Sequence, residues 1–133
     1  MQNKLTRELA ILEVESWLNF KQIGDRKREA NKASVDTIID AIMEGTLSLK
    51  EDKTFVHTLK FDTGGEIPVK VLEYSPRLKV SVVKTCLQGV AASDADGRIC
   101  AYVAALTSKA TGIINALDTE DYSLAQSIAV FFL

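Results

Sequence analysis

A chain of 133 residues that is 47% hydrophobic and 26% charged has the make-up of one globular domain, with a core that needs neither disulfides nor metal and no room for a second full domain. A formal net charge of -2 excludes a global attraction to nucleic acid or anionic lipid, so partners must be recognised by local surfaces. No apolar run reaches the roughly 18 residues of a membrane span, and the start lacks the basic, apolar, small-residue pattern of a leader, which predicts a cytoplasmic protein.

Residues 5 to 20 hold Leu5, Leu9, Leu12, Val14, Trp17, Leu18 and Phe20 at helical spacing, a broad apolar stripe of period 3.6. Residues 21 to 32 carry Lys21, Arg26, Lys27, Arg28 and Lys32 around Gly24 without apolar periodicity, which predicts a loop or a solvated helix extension. Ser34 is the predicted N-cap of a second helix on which Val35, Ile38, Ile39, Ile42 and Met43 share a face, and Gly45 follows where a left-handed residue ends a helix.

The period then falls to two. Leu47 and Leu49 alternate with polar neighbours, and after a turn at Glu51-Asp52-Lys53 the residues Phe55, His57, Leu59 and Phe61 share one strand face. Asp62-Thr63-Gly64-Gly65 is a second turn, and Ile67, Val69 and Val71 alternate again, with Pro68 confining that strand to a sheet edge. From Ser75-Pro76 the pattern is helical. Ser75 is the predicted cap and Leu78, Val82, Val83, Cys86, Leu87 and Val90 the buried face.

Ser93 or Asp94 caps a helix bearing Ile99, Tyr102, Val103 and Leu106, residues 111 to 117 make a short helical turn, and Asp118 or Thr119 caps the last helix, with Glu120 and Asp121 near its positive end. The prediction is an α+β fold in one domain, residues 1–133. A small antiparallel β-meander (46–72) is flanked by an N-terminal helical pair (1–45) and a C-terminal helical half (75–133). Ile38, Ile42, Phe55, Leu59, Val83, Leu87, Val103 and Leu106 form the predicted core.

Catalytic chemistry finds few residues to work with. The single histidine, His57, lies mid-strand, where a packed or half-exposed side chain is the expected role rather than a general base. Cys86, Cys100 and His57 lack zinc-ligand spacing, and both cysteines sit in apolar helical patterns as buried, reduced thiols. Gly64-Gly65 joins two strands instead of opening a helix, so it cradles no phosphate. Paired carboxylates at Glu51-Asp52 and from Asp118 to Asp121 read as solvated turn and cap residues. No catalytic residue, metal or cofactor is predicted. The basic run lacks interleaved aromatics and is diluted by Asp25 and Glu29; Lys21, Arg26, Lys27, Arg28 and Lys32 are a candidate contact for an acidic partner, and nucleic acid is disfavoured.

Eight short segments occur in an informative order: Thr58-Leu59-Lys60-Phe61, Gly64-Gly65, Val69-Lys70-Val71-Leu72, Leu106-Thr107, Gly112-Ile113, Leu117-Asp118, Asp121-Tyr122 and Phe131-Phe132-Leu133. Over residues 54 to 133 this order resembles phage tail assembly chaperones, whose strand pair, glycine turn and helical half end in a Leu-Thr-Gly-like turn and a final helix. The first fifty residues have no counterpart in that pattern, and residues 108 to 111 separate a Thr and a Gly that are usually adjacent. The resemblance implies a non-enzymatic protein of the host cytoplasm that holds the long helical tape-measure protein, with tail-tube protein as a further partner and homo-oligomers possible.

Small residues such as Ala101, Ala104, Ala105, Ala125 and Ala129 would pack against the foreign helix. Tyr122, Ile128, Phe131, Phe132 and Leu133 would be the partner-binding anchors. The alternatives are a structural subunit of a phage tail or connector, adding strands to the meander, or a small nucleic-acid-binding regulator that uses the basic run.

Overall fold

The computed structural model describes residues 5–133, so the first four positions of the predicted N-terminal part lie outside the described residues. Thr6 opens α1 (Arg7–Phe20) from an extended conformation, its hydroxyl accepting the Leu9 amide at 3.3 Å. Only Ala10, Val14, Trp17 and Leu18 of this helix are buried, whereas Leu9 and Leu12 of the predicted stripe face outward. Packing of α1 on α3 (Lys32–Glu44) shields one face of a stripe broader than a single neighbour covers.

The basic stretch between them folds in part. Gln22 takes a left-handed φ of 59°, and the six-residue α2 (Asp25–Ala30) follows without burying any residue. Asn31, with its amide nitrogen bonded back to the Lys27 carbonyl at 2.9 Å, is all that separates α2 from α3. The cap of α3 is therefore Asn31, and the predicted cap Ser34 lies inside the first turn. Gly45 ends α3 at φ 84°, as its position predicted.

Three antiparallel strands follow in the order β1-β2-β3: β1 (Leu47–Leu49), β2 (Phe55–Thr58) and β3 (Val71–Tyr74). Gly64 and Gly65 make the second connection at φ 73° and 84°. The third strand departs from its predicted phase. Ile67 is 89% exposed and Val71 42%, while Leu72 and Tyr74 point inward. Pairing begins beyond Pro68, which has no amide to donate, and the register Phe55↔Tyr74 and His57↔Leu72 then places alternate residues from Leu72 in the core. Phe61, predicted on the inner face, is exposed because β2 stops at Thr58.

Ser75-Pro76 forms a turn rather than a helix start. The Ser75 hydroxyl donates to the Arg77 carbonyl at 2.8 Å, and α4 (Val80–Cys86) begins only after Lys79. Asp94 caps α5 (Ala95–Thr107) by accepting the Gly97 amide at 2.9 Å. After α6 (Thr111–Asn115), Asp118 caps α7 (Thr119–Ala129) by accepting the Glu120 amide at 3.0 Å, and a 3₁₀ turn (Val130–Phe132) follows.

One core lies between the inner sheet face and helices α1, α3, α5 and α7. Trp17 centres it, with the Phe55 ring at 4.8 Å and the Phe131 ring edge-on at 5.7 Å; each such side chain contributes about 1.5–3 kcal/mol on burial. Of the predicted core, Leu87 alone is half-buried. Ala101, Ala104, Ala105, Ala125 and Ala129 are all buried. Their small side chains serve the close approach of α5 and α7 within this chain, which corrects the expectation that they meet a foreign helix.

Candidate functional site

Two places concentrate chemistry. The first is a buried polar node beneath the sheet. Cross-strand pairing sets His57 of β2 and Tyr74 of β3 on the same inner face, and the start of α7 brings Asp121 to them. His57, Tyr74 and Asp121 are each 1% exposed. Asp121 accepts the amides of Lys60 at 2.9 Å and Phe61 at 3.1 Å, which holds the chain just beyond β2 against the start of α7. His57 Nε2 lies 3.4 Å from Asp121 Oδ1, and its Nδ1 lies 2.9 Å from the Tyr74 hydroxyl.

Burial lowers the His57 pKa and outweighs the opposing pull of Asp121, so the ring is neutral. A neutral ring with its proton on Nε2 toward Asp121 leaves Nδ1 to accept the Tyr74 O–H. Burial, then the Asp121 charge, pushes the Tyr74 phenol far up, which keeps that proton in place. The node is complete within itself and ties the sheet to α7. Asp121 was expected as a solvated cap residue; the correction has a tertiary cause, since two amides just beyond the end of β2 need an acceptor. A cleft of about 190 Å³ beside it is lined by Thr37, Asp40, Glu44, Lys60 and Ser123, among others. Among the described residues no group of three or more His, Cys, Asp and Glu side chains could hold a metal ion.

The second place is an open groove of about 460 Å³ between the α1–α2 connection, α4, α5 and the 3₁₀ turn. Ile23, Leu78, Val83, Leu87 and Phe132 form its apolar surface, Tyr102 and Phe131 close its base, and Val80 stands 68% exposed at its mouth. Lys21, Arg77 and Lys84 edge it, with no carboxylate among the lining residues. Lys21 Nζ rests 3.4 Å from the centroid of the Phe132 ring, a cation–π contact. Burial first, then the charges of Arg77 and Lys27, lower the Lys21 pKa from 10.5 to about 8. Arg77 lies over the Phe20 ring at 4.8 Å and donates to the Phe20 carbonyl at 3.3 Å.

The predicted anchors divide. Ile128 is 0% and Phe131 2% exposed, so both are core and not partner contacts: α7 packs between α3 and α5, and the 3₁₀ turn folds Phe131 back onto Trp17. Phe132 is half-buried in the groove, Leu133 is 51% exposed beside Ala92, Ala95 and Ile99, and Tyr122 is half-buried in a separate cleft with Cys86 and Cys100. Both cysteines are free and half-buried, less enclosed than their pattern predicted.

The basic run is not one patch. Lys27 Nζ donates to the carbonyls of Leu133 at 3.1 Å and Phe131 at 3.4 Å, which ties α2 to the 3₁₀ turn. Arg28 closes the α1–α2 connection through the Ile23 carbonyl at 2.8 Å and Asn19 Oδ1 at 2.7 Å. Arg26 and Lys32 are exposed, and Lys21 belongs to the groove. Sequence reasoning overlooked Arg77 and Lys84 because they lie far along the chain from Lys21; the one available signal was a cation at either end of the largely apolar segment 78–83.

No helix among the described residues is long and apolar enough to cross a membrane. No family model matches the chain, no curated protein matches it in sequence, and no solved structure matches it.

Proposed function

We propose that this protein is a non-enzymatic tail assembly chaperone that holds a helical client, the tape-measure protein of a phage tail, with tail-tube protein as a further partner. The observation that carries the reading is the groove beside α4, whose apolar residues Leu78, Val80 and Leu87 stay partly or largely uncovered although the pattern assigns Leu78 and Leu87 to a core. A very long helix with an apolar stripe aggregates unless that stripe is covered, and a groove of this kind covers it reversibly in the helix-in-groove mode.

The test is co-expression with the tape-measure protein of the same gene cluster, followed by purification and by analysis of finished particles. The chaperone reading expects a soluble complex during assembly and no copy of this chain in the finished tail. A stoichiometric presence in the particle would instead favour the tail or connector subunit, which would use the edges of β1 and β3 for strand addition. The dispersal of Lys27 and Arg28 into internal hydrogen bonds weighs against the nucleic-acid regulator.

A further inference from the structure

We propose that the groove selects an acidic amphipathic helix, whose apolar line fills the space between α4 and Phe132 while its flanking Glu or Asp side chains meet Lys21, Arg77 and Lys84. The proposal deepens the chaperone reading and rests on it for the client's identity, but not for the chemistry of recognition.

Charge complementarity is the main argument. The protein as a whole carries a formal charge of -2, yet the groove presents three cations and no carboxylate. The ion pairs among the described residues join Arg7 to Asp40, Lys50 to Glu73 and Lys60 to Glu44. None of them reaches Lys21, Arg77 or Lys84. The mutual crowding of Lys21, Arg77 and Lys27 is felt at Lys21, where neighbouring positive charge adds to burial in disfavouring the ammonium. An incoming carboxylate relieves that repulsion. Arg77 spends one N–H on the Phe20 carbonyl, and its remaining donors suit a carboxylate fork. Phe132 and Val80 line the same groove as the cations, so apolar and ionic contacts are offered together.

Trp17, the only tryptophan of the chain, lies behind this wall, 6.1 Å from the Phe132 ring and 5.8 Å from Lys21 Nζ, and reports on occupancy. Two synthetic helix-forming peptides of about 18 residues serve as probes, both with Leu at i, i+3, i+4 and i+7, one flanked by Glu and the other by Lys. The full chain is titrated with each while Trp17 fluorescence is read. The Glu peptide is expected to bind about tenfold more tightly at low salt, an advantage that shrinks as salt is added. Lys21→Glu combined with Lys84→Glu should reverse the preference with an unchanged circular dichroism spectrum.

Should the double variant unfold, Lys84→Glu alone, at an exposed position, carries the test. Equal binding of the two peptides, or a preference that survives charge reversal, overturns the proposal. Capture of the tape-measure protein undiminished by charge reversal removes the groove assignment and leaves the chaperone reading standing. Selective binding of the Glu peptide without capture of the tape-measure protein by the unaltered chain does the opposite.

Discussion

His57 illustrates how a single residue acquires its role from neighbours distant in sequence. Its lowered pKa means that the folded state resists protonation, whereas the unfolded chain takes up a proton near the ordinary value of 6.5. The unfolded state therefore binds more protons just below that pH, and linkage requires stability to be fully present above about pH 6.5 and to be lost as pH falls toward the folded-state pKa. Thermal melts from pH 8 to pH 5 should show a declining midpoint below about 6.5. His57→Gln should be less stable at pH 8 but flatter across the window, and an equally steep decline in that variant would assign the effect to other groups. Lys21 offers a chemical test at the same scale. With its pKa lowered to about 8, about half of its side chain is free amine at pH 8, against well under about 1% for an ordinary lysine. Trace acetylation at that pH, read by peptide mass spectrometry, should mark Lys21 ahead of the exposed Lys32, Lys70 and Lys79. Uniform labelling would show that burial and the Arg77 charge are compensated.

Among the elements, α4 contrasts with the long helices of the core. Seven residues long, it lacks a side-chain N-cap and buries only Val83, whereas the thirteen-residue α5 has the Asp94 cap and a nearly continuous buried face from Ala101 to Thr107. Short uncapped helices with little buried surface open locally at small cost. Amide hydrogen exchange should therefore release α4 orders of magnitude before α5 and α7, and an added acidic helical peptide should slow α4 alone if it seats in the groove. Protection of α4 equal to that of α5 in the free protein would mean that the groove is rigid. The same element shows where pattern reading stops. Leu78, Val82, Val83, Cys86, Leu87 and Val90 have helical spacing, but periodicity identifies an apolar face without saying whether this chain supplies its cover. Strand β3 makes the complementary point: a period of two is legible over several residues, but its phase depends on which residue β2 pairs with, and Pro68 moves the start of pairing.

At the scale of the molecule, Phe131 belongs to the core although it follows the last helix. The 3₁₀ turn places Phe131 against Trp17, and Lys27 holds the Phe131 and Leu133 carbonyls from α2. Phe131→Ala should cost about 3–5 kcal/mol in chemical denaturation, and deletion of residues 131 to 133 should lower the melting temperature sharply. Loss of client binding in that deletion would then report unfolding. A loss under about 1 kcal/mol for Phe131→Ala would return this residue to the surface role its pattern suggested.

The α+β class, the strand-rich centre between helical halves, the helix stop at Gly45, the starts of α5 and α7 to within one residue, the glycine turn and most of the core were determined by the sequence itself, because capping, turn geometry and amphipathic periodicity act between residues a few positions apart. The groove and the polar node were decided only by tertiary structure. Asp121 became buried because two amides just beyond β2, sixty residues away, needed an acceptor, Phe131 because a turn returned it to Trp17, and Lys21, Arg77 and Lys84 came together because the segment after α1, the segment before α4 and α4 itself line one groove with the 3₁₀ turn. Contacts between residues so far apart in the chain leave no local period to read.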